Sequence, residues 1–315
     1  MGAPTSHGHA DDAGLGPPET VEVADGIFAY VQPDGSWWIN NTGFLVDADA
    51  RRVAAVDTCS TERRTRGFLE AIAAVTPHPV RTLVNTHHHG DHTNGNCLVA
   101  DDATIIGHHV TREEVLATRI GGLEAVFGDV EWGDLEPAAP TVTFSDRLDV
   151  HVGGRTMELH HFPDPAHTRS DVACWLPSEK LLFAGDLVFN GGTPFVVMGS
   201  VAGSIEAVAR LRALGPETIV PGHGGVCGPD VLDRVEGYLR FVQETAADAH
   251  AAGEAPLDAA RQVDLGEYAE WLDAERIVGN LHRAYAELEG KECNVMAAFG
   301  DMLAYNGGRP LRCLA

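Results

Sequence analysis

The seven residues Thr86-His87-His88-His89-Gly90-Asp91-His92 hold the densest set of metal-binding side-chain types in the chain. Imidazole and carboxylate are the donors that zinc-like divalent ions take. His87 and His89 alternate, so they share one side of an extended backbone, and His88 faces the other way and is left out of the set. Four donors, His87, His89, Asp91 and His92, crowd a single ion because the chain must turn back on itself. Two ions sharing the loop relieve that crowding. Burying so many polar groups without a partner is costly, so the run is read as a metal loop and not as core. Water held between two divalent ions ionises near neutral pH, and the ions also polarise an acyl carbonyl. The expected chemistry is therefore hydrolysis of an activated acyl bond (ester, thioester, lactone or amide) with no Ser or Cys nucleophile. Asp91 is the candidate catalytic residue, orienting the water and helping to move its proton.

The loop needs a rigid element to deliver it. The short apolar stretch 80–85 reads as a strand running straight into it. Before that strand, 21–31, 38–46 and 52–57 read as a β meander, with a Pro-Asp-Gly turn at 33–35. Residues 61–75 carry Phe68, Leu69, Ile72 and Val75 at helical spacing, stopped by Pro77 and Pro79. Downstream, 103–107 reads as a strand, 110–118 as a helix and 121–140 as loop with some helix. Residues 141–144, 147–152 and 155–162 read as a second meander, and 172–176, 181–184 and 218–220 as further strands. Residues 204–214, 229–250, 265–288 and 292–305 read as helices. Two β-rich halves with helices outside make an α/β layered fold.

Composition narrows the function further. Asp plus Glu is 46 against 22 Lys plus Arg, a formal net charge of −24, which repels nucleic acid and anionic lipid. Neither is an expected partner. No run of 18 apolar residues spans a membrane. The first residues lack the basic start and apolar core of a secretion signal, so a cytoplasmic location and six reduced thiols are expected. His108, His109, His160 and His161 have no ligand spacing and are read as structural, as is Cys227.

Three later pieces complete a pattern: Asp164-Pro165-Ala166-His167-Thr168, Phe183-Ala184-Gly185-Asp186 and Pro221-Gly222-His223-Gly224. With Thr86–His92 they stand in the order of the metallo-β-lactamase superfamily, which the chain resembles over about 21–238. Ala166 replaces a usual Gly. The resemblance implies an αββα sandwich over 19–250, here with a tail at 1–18 and a carboxy-terminal helical extension at 251–315 packed on it. It implies one metal on His87, His89 and His167, a second on Asp91, His92 and His223, and Asp186 as the bridge. Asp57 fits the family's early strand-ending Asp, which is structural. Histidine at 89, where the family's di-iron flavoproteins carry an acid, favours two Zn2+, although iron and manganese accept the same donor types.

The stretches 30–38 and 58–66 resemble an actinobacterial branch similar to the cyclase/thioesterases of aromatic polyketide pathways. That implies a small-molecule or acyl-carrier-protein-bound acyl substrate, with ring closure and thioester cleavage. Trp37 and Trp38 are candidate pocket walls, and Tyr268 and Trp271 a candidate roof. Arg63, Arg64 and Arg66 form a candidate docking patch for an acidic carrier. Glyoxalase II-like thioesterase or lactonase, β-lactamase, and a metal-bound binding protein without turnover are the alternatives.

Overall fold

The computed structural model describes residues 15–315, so most of the tail expected over 1–18 lies outside the described residues. Twelve strands among them form two sheets. In the first, β1 (Glu19–Ala24), β2 (Ile27–Val31), β3 (Thr42–Asp47) and β4 (Arg52–Val56) are an antiparallel meander. β5 (Val80–Val84), β6 (Thr104–His108) and β7 (Val142–Phe144) then add in parallel. The crossovers carry α1 (Glu62–Val75), α2 (Gly90–Thr93), α3 (His109–Ala117) and α4 (Glu124–Phe127). The second sheet has the order β12-β11-β10-β9-β8, built from β8 (Arg147–Val152), β9 (Arg155–His161), β10 (Val172–Leu176), β11 (Leu181–Asn190) and β12 (Thr218–Gly224). Its last pair is parallel, joined through α5 (Val201–Leu214). The chain closes with α6 (Asp230–Ala251), α7 (Pro256–Gln262), α8 (Arg276–Glu289) and α9 (Val295–Tyr305).

Side-chain alternation sorts the strands into layers. Ala54 and Val56 of β4 meet Val172, Cys174 and Leu176 of β10 between the sheets. Their neighbours Val53 and Ala55 pack with Phe68 and Ile72 of α1 on the outer face of the first sheet. Ala173 and Trp175 point the opposite way, into a cluster with Leu211 of α5, Val235 of α6, Leu281 of α8 and Met302 of α9. The result is the expected αββα sandwich, with the carboxy-terminal helices sharing the second sheet's outer core.

Several boundaries differ from the sequence reading. Residues 21–31 are a hairpin turned at Asp25-Gly26, not one strand. Residues 37–41 leave the sheet, with Trp38 in left-handed backbone. The second meander is split, because β7 pairs with β6 while β8 and β9 open the other sheet. The helix expected over 265–288 is a 3-10 turn (Gly266–Glu270) and then α8, broken where Asp273 takes a φ of 56°. α7 was not expected; Pro256 starts it, its fixed φ suiting a first turn. β11 and β12 run past the predicted ends at 184 and 220. Gly185-Asp186 and Pro221-Gly222-His223-Gly224 look like turn chemistry but continue the strands.

Candidate metal centre

The strand ends deliver their polar residues to one edge of the sandwich. β5 leads into His87 and His89, and α2 carries Asp91 and His92. Asp186 and His223 lie within β11 and β12, and His167 on the loop before β10. Two groups of donor atoms result, each with all atoms within 4.8 Å of one another: His87, His89, His167 and Asp186, and Asp91, His92, Asp186 and His223. Asp186 belongs to both. Its Oδ1 is 3.0 Å from His92 Nε2, and its Oδ2 is 3.3 Å from both His167 Nε2 and His223 Nε2 and 4.0 Å from His87 Nε2. Asp91 Oδ2 lies 3.2 Å from His223 Nε2. His89 turns its Nδ1 inward, 2.8 Å from His167 Nε2.

Each imidazole is held by its other nitrogen. His167 Nδ1 meets the Phe195 carbonyl at 2.5 Å, His223 Nδ1 the Gly35 carbonyl at 3.1 Å, and His89 Nε2 the Met198 sulfur at 3.3 Å. Asp57 controls the remaining two. It accepts from the Thr86 N–H at 2.8 Å, the Thr86 hydroxyl at 2.7 Å and His92 Nδ1 at 2.8 Å. The Thr86 oxygen in turn sits 3.1 Å from His87 Nδ1. One carboxylate thus orients a histidine of each group, a role the sequence reading missed in treating Asp57 as structural. Asn41 was missed too. Its amide donates to Pro221 O and Gly224 O, and its N–H to Gly222 O, pinning the loop of His223. Gly222 permits the close approach, since a Cβ there would lie 2.0 Å from Asp186 Oδ1.

The donors fit divalent metal. His87 Nε2, His92 Nε2 and Asp186 Oδ1 are buried and have no hydrogen-bond partner of good geometry, a cost that a shared cation removes. Burial pushes His87 and His89 well below the ordinary histidine range, which keeps their lone pairs free. Burial also works against charge on His92 and His223, but neighbouring carboxylates outweigh it. Asp186, Asp91 and Asp57 hold His92 well above that range, and Asp186 and Asp91 hold His223 at about 9. Burial would raise Asp186, yet His223, His92 and His167 hold it well below the carboxylate range. Without metal the second group is a compact cluster of imidazolium and carboxylate charges, which a cation would enter by displacing protons.

A cavity of about 330 Å³ opens onto these donors. Trp37, Trp38, Phe127, Phe195 and Phe299 give its wall an aromatic side. Trp37 packs edge-on against Phe195 and Trp38 edge-on against Phe127. Tyr268 and Trp271 do not reach it. They pack against Tyr238 in the helical layer, Tyr268 edge-on and Trp271 tilted, and α9 supplies the roof instead through Val295, Met296 and Phe299. The expected arginine patch is not assembled either. Arg64 is buried against the side-chain carbonyl of Gln32, and Arg66 pairs with Glu62 at 2.7 Å, leaving Arg63 exposed beside them. His88 bonds Ser170 at 3.1 Å, away from the donor groups, although one edge of it borders the cavity. His108 stacks on His161, His160 pairs with Glu158, and Cys227 donates to the Ile219 carbonyl, all outside the two groups. The six cysteines carry free thiols. No helix among the described residues is long and apolar enough to cross a membrane.

Comparison with known proteins agrees with this geometry. The sequence model of the Metallo-beta-lactamase superfamily matches residues 35–223, a span that contains every donor of both groups. The 2,4-dinitroanisole O-demethylase subunit alpha of Nocardioides sp. (strain JS1661) is 32% identical over 203 residues, 64% of this chain and 54% of that protein. The hydroxyacylglutathione hydrolase of Methylococcus capsulatus is 33% identical over 140 residues, 44% of this chain and 45% of that protein. The chain therefore spans about half the length of these two curated relatives. A solved metallo-beta-lactamase from Pontibacter korlensis shares the fold, with a TM-score of 0.59 and 21% identity over 71% of this chain and 99% of that one. With fold, donor order and matched span in agreement, the chain belongs to the Metallo-beta-lactamase superfamily.

Proposed function

We propose that this chain is a binuclear metal-dependent hydrolase of an activated acyl bond, a thioester foremost, on a substrate that carries an apolar ring system. The observation that carries the reading is the aromatic cavity opening directly onto the paired donor groups. Two divalent ions bound there would supply a polarised carbonyl and a water ionised near neutral pH. His87, His89 and His167 would hold one, Asp91, His92 and His223 the other, with Asp186 shared. Two zinc ions suit this donor set, three neutral imidazoles on one side and two carboxylates on the other.

The remaining work falls to the protein. Trp37, Trp38, Phe127, Phe195 and Phe299 exclude water and hold a flat apolar group, the offset and edge-on packing of rings favouring an aromatic one. Asp91 borders both the cavity and His223, so its carboxylate can orient a water and hold a proton during attack. A thiolate leaves without protonation, so no separate acid is needed. An acyl-carrier-bound aromatic polyketide falls within this class, and the aryl methyl ether named for the O-demethylase relative is also aromatic. A second reading, a glyoxalase II-like thioesterase on a small substrate, is favoured by the relatives named hydroxyacylglutathione hydrolase.

A hydrolysis panel separates the two. Aryl-acyl thioesters should exceed hydroxyacyl glutathione thioesters, lactones and β-lactams in kcat/KM. Preference for the glutathione thioester establishes the second reading, and preference for β-lactams rejects both.

A further inference from the structure

We infer that Arg276, on the carboxy-terminal extension, is a positioning residue for His223. The inference rests on the reading that His223 holds the second ion. Arg276 is one of the largest fully buried side chains, 2% exposed at the start of α8. Its guanidinium is anchored at both ends: one Nη donates to the Thr193 carbonyl at 2.9 Å, and the other pairs with Asp273 at 2.8 Å. Between those anchors it touches two rings, lying 4.1 Å from the centroid of Trp37 and 5.3 Å from that of Phe189.

Both rings lead to His223. Phe189 is paired with His223 across β11 and β12, and its ring lies parallel to the imidazole, at 9° with centroids 5.0 Å apart. In contact with the guanidinium over its ring, Phe189 sets the plane of the imidazole. Trp37 sits two residues after Gly35, whose carbonyl takes the His223 Nδ1 hydrogen bond. The indole N–H of Trp37 is fixed by Glu275, the neighbour of Arg276, at 2.7 Å. The Gly35 turn packs closely on the backbone next to His223, since a Cβ there would stand 2.5 Å from Gly224 N. One buried cation therefore fixes the ring face of His223 through Phe189 and its Nδ1 acceptor through Trp37. The contact needs a planar cation that lies over two rings while making a hydrogen bond at one end and an ion pair at the other, which lysine does not provide. Residues outside the donor set that orient a histidine commonly change metal affinity by about 10–100-fold.

The test is a zinc titration of the full chain against a chromophoric chelator, with His223→Ala identifying the equivalent that depends on His223. Arg276→Met is paired with Asp273→Asn so that no buried carboxylate is stranded. Phe189→Leu breaks the stack without touching charge. Each should weaken the His223-dependent equivalent about tenfold and leave the other unchanged. Combining them should add little, Arg276→Lys should not restore binding, and Phe189→Tyr should. If both equivalents bind as in the parent, or weaken alike, the positioning role is overturned. If only KM moves, Arg276 acts on substrate and the inference fails. Should the Arg276 variant not fold, Phe189→Leu decides alone. A parent protein binding fewer than two equivalents refutes the metal reading itself, a result distinguishable from failure of the clamp.

Discussion

Asp57→Asn is the sharpest perturbation of the metal centre that leaves every proposed ligand in place. Asp57 accepts three hydrogen bonds: the Thr86 N–H on Oδ1, and the Thr86 hydroxyl and His92 Nδ1 on Oδ2. If asparagine keeps its carbonyl toward the Thr86 N–H, its NH2 replaces Oδ2. A histidine that offers Nε2 to a metal carries its proton on Nδ1, so at His92 donor then meets donor. The Thr86 hydroxyl loses its acceptor as well, and its oxygen, which faces His87 Nδ1, is free to turn. Each stranded buried donor costs about 1–3 kcal/mol, so the fold should lose roughly 2–6 kcal/mol. Metal affinity should fall about 10–100-fold, or about 1.4–2.7 kcal/mol, and at both groups, because Asp57 reaches His92 directly and His87 through Thr86. Thermal unfolding of the chelated protein reads the first quantity, and competition titration with a chromophoric chelator reads the second. Unchanged affinity at both equivalents would refute the assignment of Asp57 as the common orienting acceptor.

Three further outcomes are expected. Gly222→Ala should displace Asp186 and lower metal content and turnover together, because its methyl would meet Oδ1 at 2.0 Å; elemental analysis of a folded variant with two ions and full activity would contradict this. Trp38→Ala or Phe299→Ala should lower kcat/KM about tenfold for an aryl-acyl thioester, about 1.4 kcal/mol of lost apolar burial, and leave an acetyl thioester nearly unaffected; equal losses would refute the wall. In the chelated protein His223 is held at about 9, burial opposing and Asp186 and Asp91 prevailing. A raised folded pKa contributes stability in full below about 6.5 that is lost as pH rises through 9, so the Tm of the metal-free protein should fall across that window. A flat Tm from pH 6.5 to 9.5 would contradict it.

The donor set was legible in the sequence because it breaks a rule. His87 just after β5, and Asp186 and His223 within β11 and β12, are polar residues that follow apolar stretches, where only a shared partner repays their burial. The layered fold was legible from the order of strand and helix stretches along the chain, whereas the sorting of Ala54 and Val56 from Val53 and Ala55 into two layers was not, all four being apolar. The pocket was much less so. Its walls combine the 37–38 turn, α4 and α9, which the chain brings together only in three dimensions. Tyr268 and Trp271 were chosen as aromatic residues of the extension, and their partner on the helical layer, Tyr238, is what keeps them from the cavity. The Arg63–Arg66 cluster misled because one-dimensional charge ignores the helix: Arg64 lies on the buried face of α1, beside Thr65 and Phe68. Asp57 was visible as a strand-ending acid, but its double duty depends on the position of Thr86 against it.

The most direct test of the account is elemental analysis of the full chain, purified without chelator, alongside Asp186→Ala. Two divalent ions per parent chain and loss of at least one in the variant, with turnover falling steeply while the fold survives, is the predicted result. Fewer than one ion per parent chain, or a variant that keeps both ions and its activity, would contradict the shared-carboxylate centre on which the proposed function stands.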